Sequence, residues 1–200
     1  MLDRQTALSW MDAFTNTIEE NKTHLSKLDN PIGDGDHGHN MSRGVKAASE
    51  ALNSTPPNTL SEVFKTVAMS LISKVGGAAG PLYGTAFLNM SKYIGDNETL
   101  SKEQIASMLE EGLNGIKTRG KATTGEKTMI DLWEPAVNHF KENGTLDARI
   151  IDDYVEKTNP MKATKGRAAY LGERSIGHTD PGATSSGLLF KTLIDTAGLS

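Results

Sequence analysis

The sequence contains no cysteine, which rules out disulfides and thiolate-bound metals. It has no excess of positive charge: 21 Lys and Arg against 25 Asp and Glu leave a net charge of -4, with a pI near 5.7. A nucleic-acid binder usually carries a basic face, so that class is set aside. No apolar run approaches the roughly 20 residues that cross a bilayer. The opening Met1-Leu2-Asp3-Arg4-Gln5 lacks the basic start and apolar middle of a signal peptide. A cytoplasmic protein without membrane contact is therefore expected. At 200 residues the chain is long enough for one domain, 1–200, with a full core.

Strand-like alternation is missing too; what fills the chain is helical periodicity. A first helix is expected from about Asp3 to Lys27, with Ala7, Trp10, Met11, Phe14, Ile18 and Leu25 on one face. Others follow from about His39 to Asn53, Leu60 to Val75, and Pro81 to Ile94. Ser101-Lys102-Glu103-Gln104 reads as a capping box opening a fifth, which ends near Arg119. A sixth spans about Lys127 to Lys141, a seventh Leu146 to about Met161, and Asp180-Pro181-Gly182 opens an eighth through Ile194. The fold class is all-α: an eight-helix up-and-down bundle or barrel.

In that topology, loops from odd to even helices share one end. They are Asp29 to His39, Gly76 to Gly80, Arg119 to Glu126 and Thr164 to Gly182. The opposite end has only plain polar turns at Ser54 to Asn58, Gly95 to Asn97 and Asn143-Gly144. The chemistry-bearing loops therefore gather on one rim, where four helix starts also point their free N–H groups.

Within that rim, Asp29, Asp34 and Asp36 sit among glycines just before a helix. Three converging carboxylates need a cation, and hard oxygen donors suit Mg²⁺ or Ca²⁺. A simple turn with an N-cap is the alternative for this loop taken alone. An EF-hand is excluded, because no glutamate stands at the twelfth position. Gly76-Gly77-Ala78-Ala79-Gly80 offers bare backbone N–H groups to a phosphate. Lys165-Gly166-Arg167 and Arg174 add cations that can fork onto phosphate oxygens. Gly115 to Lys121 mimics a P-loop but has Ala122 where Ser or Thr is needed, at a helix end rather than after a strand. His37, His39 and His178 are read as phosphate or ring contacts or exposed groups rather than as a metal site. With no Ser-His-Asp spacing, the parts are those of phosphoryl transfer.

Four blocks resemble the nucleotide-binding subunit of bacterial dihydroxyacetone kinase, in the form driven by the phosphoenolpyruvate:sugar phosphotransferase system. They are Asp29 with Gly33 to Gly38, Gly76 to Thr85, Arg119-Gly120-Lys121 with Gly125 to Met129, and Gly166 to Ala183. The resemblance implies an eight-helix barrel with ADP at one end, and Asp29, Asp34 and Asp36 holding two Mg²⁺ ions. It places His37, Gly38, His39, Asn40, Ala78 and Ala79 along the phosphates, and Gly120, Met129, Arg167, Asp180, Pro181 and Gly182 around the rest of the nucleotide. Arg167 is the candidate catalytic residue, a cation to meet developing charge. In that family ADP stays bound as a coenzyme, is recharged to ATP by a phosphohistidine on a partner protein, and serves dihydroxyacetone on another subunit; a homodimer is left open. Ala79 stands where the family often has serine, which implies a weaker phosphate grip. Two other readings remain: a non-catalytic nucleotide sensor that regulates a partner, and a free-standing kinase that exchanges ATP with solvent.

Overall fold

The computed structural model describes residues 1–200. In chain order it contains β1 (Leu2–Asp3), α1 (Arg4–Asp29), α2 (His37–Ser54), α3 (Leu60–Lys74), α4 (Ala79–Ile94) and β2 (Thr99–Leu100). α5 (Lys102–Gly120), α6 (Ile130–Asn143), α7 (Ala148–Glu156), a 3-10 segment (Arg167–Ser175) and α8 (Pro181–Ala197) follow.

The apolar stripes read from the sequence are the buried faces. On α1, Ala7, Trp10, Met11, Phe14, Ile18 and Leu25 recur at three- and four-residue steps and all turn inward. Each helix packs on the next, and α8 closes against α1. The eight-helix up-and-down bundle expected from periodicity is the architecture found, closed into a ring around one continuous core. Trp10, Phe64 and Phe87 stack at 5.8–6.2 Å between centroids, and Trp133 meets Phe190 edge-on at 4.9 Å.

Several boundaries differ from expectation, each for a local reason. β1 and β2 pair antiparallel, Leu2 opposite Leu100, although no strand was expected. Two residues per strand are too few to show alternation. Both leucines are fully buried, so this strap from the start of α1 to the start of α5 plugs one mouth of the ring. α6 begins at Ile130 rather than Lys127, because Lys127 has φ +61°, which no right-handed helix admits. α7 is shorter than the expected Leu146 to Met161. Leu146 N–H is spent on the Leu199 carbonyl at its front, and Pro160 cannot continue it behind. The expected loop from Thr164 to Gly182 holds the 3-10 segment, kinked at Gly172 with φ +57°.

Candidate functional site

The two ends of the ring treat their helix starts differently. At the plugged end every odd helix is capped by its own side chain: Asp3 on Thr6 N–H, Thr59 and Ser101 in capping boxes with Glu62 and Gln104, Asp147 on Arg149 N–H. At the other end the N-cap positions of α2, α4 and α6 are Asp36, Ala78 and Met129, and none caps with its side chain. Only α8 does, through Asp180. The uncapped starts surround a cavity of about 400 Å³ whose wall takes Asp34, Gly77, Lys165 and Gly182 from three of the rim loops and Lys127 to Met129 from just ahead of α6, while Arg119 to Glu126 contributes nothing to it. His37 N–H is already taken by Asp29 and Ile130 N–H by Thr128 Oγ1; the other N–H groups at the starts of α2 and α4 remain ready for an anion.

Asp29, Asp34 and Asp36 offer carboxylate oxygens within 4.8 Å of one another. Asp29 is buried and is held by the N–H groups of Asp36 (3.0 Å) and His37 (3.2 Å). The loop can tighten this far because Gly33 has no side chain: a Cβ there would lie 1.9 Å from Asp29 Oδ1. Burial, with the nearby charge of Asp34, pushes the Asp29 carboxyl up. Hydrogen bonding with Asp36 and the Arg167 guanidinium hold Asp34 down. Arg167 Nη1 sits 2.6 Å from Asp34 Oδ2, one positive charge against three negative ones. The donor set is all hard oxygen with uncompensated negative charge, so it fits a divalent cation such as Mg²⁺.

The segment His37 to Asn40 divides. α2 starts at His37, so His37 and Asn40, three residues apart, share the cavity face. Gly38 instead packs against α1, so closely that a Cβ would fall 1.8 Å from the Lys22 carbonyl. His39 points outward and bonds Ser26 through Nδ1 at 3.0 Å. Ala78, Ala79, Met129, Arg167, Asp180, Pro181 and Gly182 all line the cavity with the aspartates. Gly120 lies outside it, on an adjoining cavity of about 290 Å³ that shares Ala78, Leu82 and Met129 with the first. Pro81, Ile116 and Ile130 make that second space largely apolar, suited to a flat heterocycle.

Lys127 was not singled out from the sequence. It is 2 % exposed, and its Nζ donates to the carbonyls of Thr158 (2.7 Å), Asn159 (3.2 Å) and Met161 (3.1 Å) just past the end of α7. Three donors meet three acceptors at the negative end of a helix. Burial lowers its pKa, while Asp180 and Asp131 oppose that shift. Asp180, beside it, caps α8 by accepting from Ala183 N–H at 2.7 Å; burial lifts its carboxyl to about 7. These two groups fix the wall between α6 and α8.

The sequence profile of the DAK2 domain matches residues 31–195. The chain is 53% identical over 194 residues to "PEP-dependent dihydroxyacetone kinase 1, ADP-binding subunit DhaL" of Listeria innocua, covering 97% of both chains. It is 49% identical over 195 residues to "PTS-dependent dihydroxyacetone kinase, ADP-binding subunit DhaL" of Lactococcus lactis, covering 98% of both. The solved dihydroxyacetone kinase from C. freundii, in complex with AMP-PNP and Mg²⁺, aligns with 98% of this chain at a TM-score of 0.75 and 24% identity. This chain spans about a third of that one, 34%, and the likeness is one of fold. No helix is long and apolar enough to cross a membrane.

Proposed function

The chain belongs to the DAK2-domain family of dihydroxyacetone kinase ADP-binding subunits, DhaL, and from that premise we propose that it is the nucleotide-carrying subunit of a phosphoenolpyruvate-dependent dihydroxyacetone kinase. The observation that carries the reading is the convergence of three carboxylates and three uncapped helix starts on one cavity. When bound, ADP with its Mg²⁺ takes a phosphoryl group from a phosphohistidine on a partner protein and yields it to a hydroxyl of dihydroxyacetone on another subunit.

The residues divide that work. Asp29, Asp34 and Asp36 hold the metal, two ions in this reading, and so let a diphosphate lie beside carboxylates. The starts of α2 and α4, with Ala78 and Ala79, give backbone N–H groups to the phosphates. Met129 and Gly120 border the apolar annex for the base. Arg167 lets go of Asp34 when the metal arrives, which frees its guanidinium for charge developing on the transferred group. The pair is solvent-exposed on both sides, so opening it is inexpensive. Residues 1–200 act as one domain in the cytoplasm, and ADP stays bound between turnovers.

The test is to denature freshly purified protein and quantify what is released. Close to one ADP per chain is expected. Protein that is empty and takes up no ADP with Mg²⁺ overturns the reading. Mixing the chain with its phosphoprotein donor and a dihydroxyacetone-binding subunit separates catalysis from sensing: triose phosphate forms only if the phosphoryl group is handed on.

A further inference from the structure

A chain of hydrogen bonds beneath the phosphate cradle joins all four helices that start at the open end. Trp133 Nε1 on α6 donates to Ser186 Oγ on α8 at 3.0 Å. Ser186 Oγ lies 2.9 Å from the Tyr83 hydroxyl on α4, which lies 2.8 Å from Ser185 Oγ. Ser185 Oγ in turn lies 2.9 Å from His37 Nε2 on α2. Trp133, Tyr83, Ser185 and Ser186 are all 0% exposed, so bulk water cannot supply a missing partner.

The chemistry of these groups gives the chain a direction. An indole N–H only donates. Ser186 therefore accepts from Trp133, and the sole acceptor for its own hydrogen is the Tyr83 oxygen. Tyr83 must then pass its hydrogen to Ser185. Any other order strands a hydroxyl hydrogen in the core without an acceptor, which is costly. Ser185 has two choices, His37 Nε2 at 2.9 Å and the Gly182 carbonyl on its own helix at 3.1 Å. That choice decides which ring nitrogen of His37 carries the hydrogen. His37 lines the cavity, and its Nδ1 has no protein partner and is not sealed in the core. If Ser185 donates to Nε2, Nδ1 carries a hydrogen. If it donates to Gly182, Nδ1 presents a lone pair, which an ionised phosphate oxygen repels.

We infer that Ser185, Tyr83, Ser186 and Trp133 are positioning residues, a one-way relay of donors that sets neutral His37 as an Nδ1–H donor to an anionic oxygen of the ligand. This rests on the nucleotide reading above for the identity of the anion, and on the hydrogen-bond geometry for the rest.

The experiment is ¹⁵N NMR of histidine-labelled protein near pH 8.5, where an ordinary imidazole is neutral, with and without ADP and Mg²⁺. The His37 signals are assigned by their loss in His37→Asn. With ADP and Mg²⁺ bound the hydrogen is expected on Nδ1; in the free protein Ser185 can turn to Gly182 instead, so both tautomers are expected. Ser185→Ala moves it to Nε2 and weakens ADP binding about tenfold, the loss of one hydrogen bond to a charged group. Tyr83→Phe keeps the ring but severs the relay, giving a mixed tautomer and a smaller loss, about threefold. Wild-type His37 with its hydrogen on Nε2 in the ADP complex overturns the inference, and so do both variants binding ADP as the wild type does. If the wild type takes up no ADP, the nucleotide reading falls instead, and the His37 tautomer in saturating inorganic phosphate still decides the relay. Should Ser185→Ala not fold, the wild-type spectrum and Tyr83→Phe carry the test.

Discussion

One end of this ring of helices is self-sufficient and the other is not. Asp3, Thr59, Ser101 and Asp147 each satisfy the helix they precede, and the core beside them is dry and aromatic around Trp10, Phe64 and Phe87. At the opposite end Asp36, Ala78 and Met129 leave their helix starts without such caps, and Lys127, Asp131, Ser185 and Ser186 are buried polar groups. The same helices run through both. The difference teaches that stability and binding have been assigned to opposite poles, so the open pole can keep donors and charges that serve a ligand rather than the fold.

The contrast can be broken most forcefully at the dry pole. Phe64→Ala is expected to lower unfolding free energy by about 3–5 kcal/mol, read by urea denaturation, while the folded fraction binds ADP within about twofold of wild type. A matching fall in affinity would show that the poles are not independent. The converse is Asp34→Ala, which should weaken Mg²⁺-dependent ADP binding by about 100-fold, the upper end of the loss seen for groups that merely support a metal ligand. Its urea midpoint should hardly move, since Asp34 is exposed. Calorimetric titration showing unchanged ADP uptake would remove Asp34 from the site.

A smaller effect concerns Asp180. Burial lifts its carboxyl to about 7 from an ordinary 3.8, so the folded chain keeps a proton that the unfolded chain sheds. The stability this gives is complete below about pH 4 and drains away as pH rises through about 7. Asp180→Asn still caps α8 but cannot ionise. Without nucleotide or Mg²⁺, it should gain on wild type steadily between those pH values, and a constant offset would refute the assignment. The smallest change is Thr59→Ala, which removes a cap at the dry pole. It should cost about 1 kcal/mol and leave ADP affinity untouched.

Much of this was legible because helices announce themselves by period. The stripe on α1 and the capping box at Ser101 needed no tertiary knowledge, and topology alone then gathered the glycine and aspartate loops on one rim. Fine placement was not legible. The family resemblance set the whole of His37 to Asn40 along the phosphates, with α2 expected from about His39. Starting the helix two residues earlier rotates Gly38 into α1 and His39 towards Ser26. Lys127 gave no signal either, since a lysine reads as surface and its three carbonyl partners lie 31 to 34 residues away. Tyr83 falls by period on the apolar face of α4 and gives no polar signal in the sequence, whereas its hydroxyl bridges Ser185 and Ser186.

The nucleotide cavity backs onto a continuous core that fills the cylinder as far as the buried pair Leu2 and Leu100 at the other end. Visitors arrive and depart through a single doorway. Under the proposed function, the protein that recharges the nucleotide and the protein that spends it must queue for the same threshold, so the cycle proceeds by turns and never by a three-way meeting.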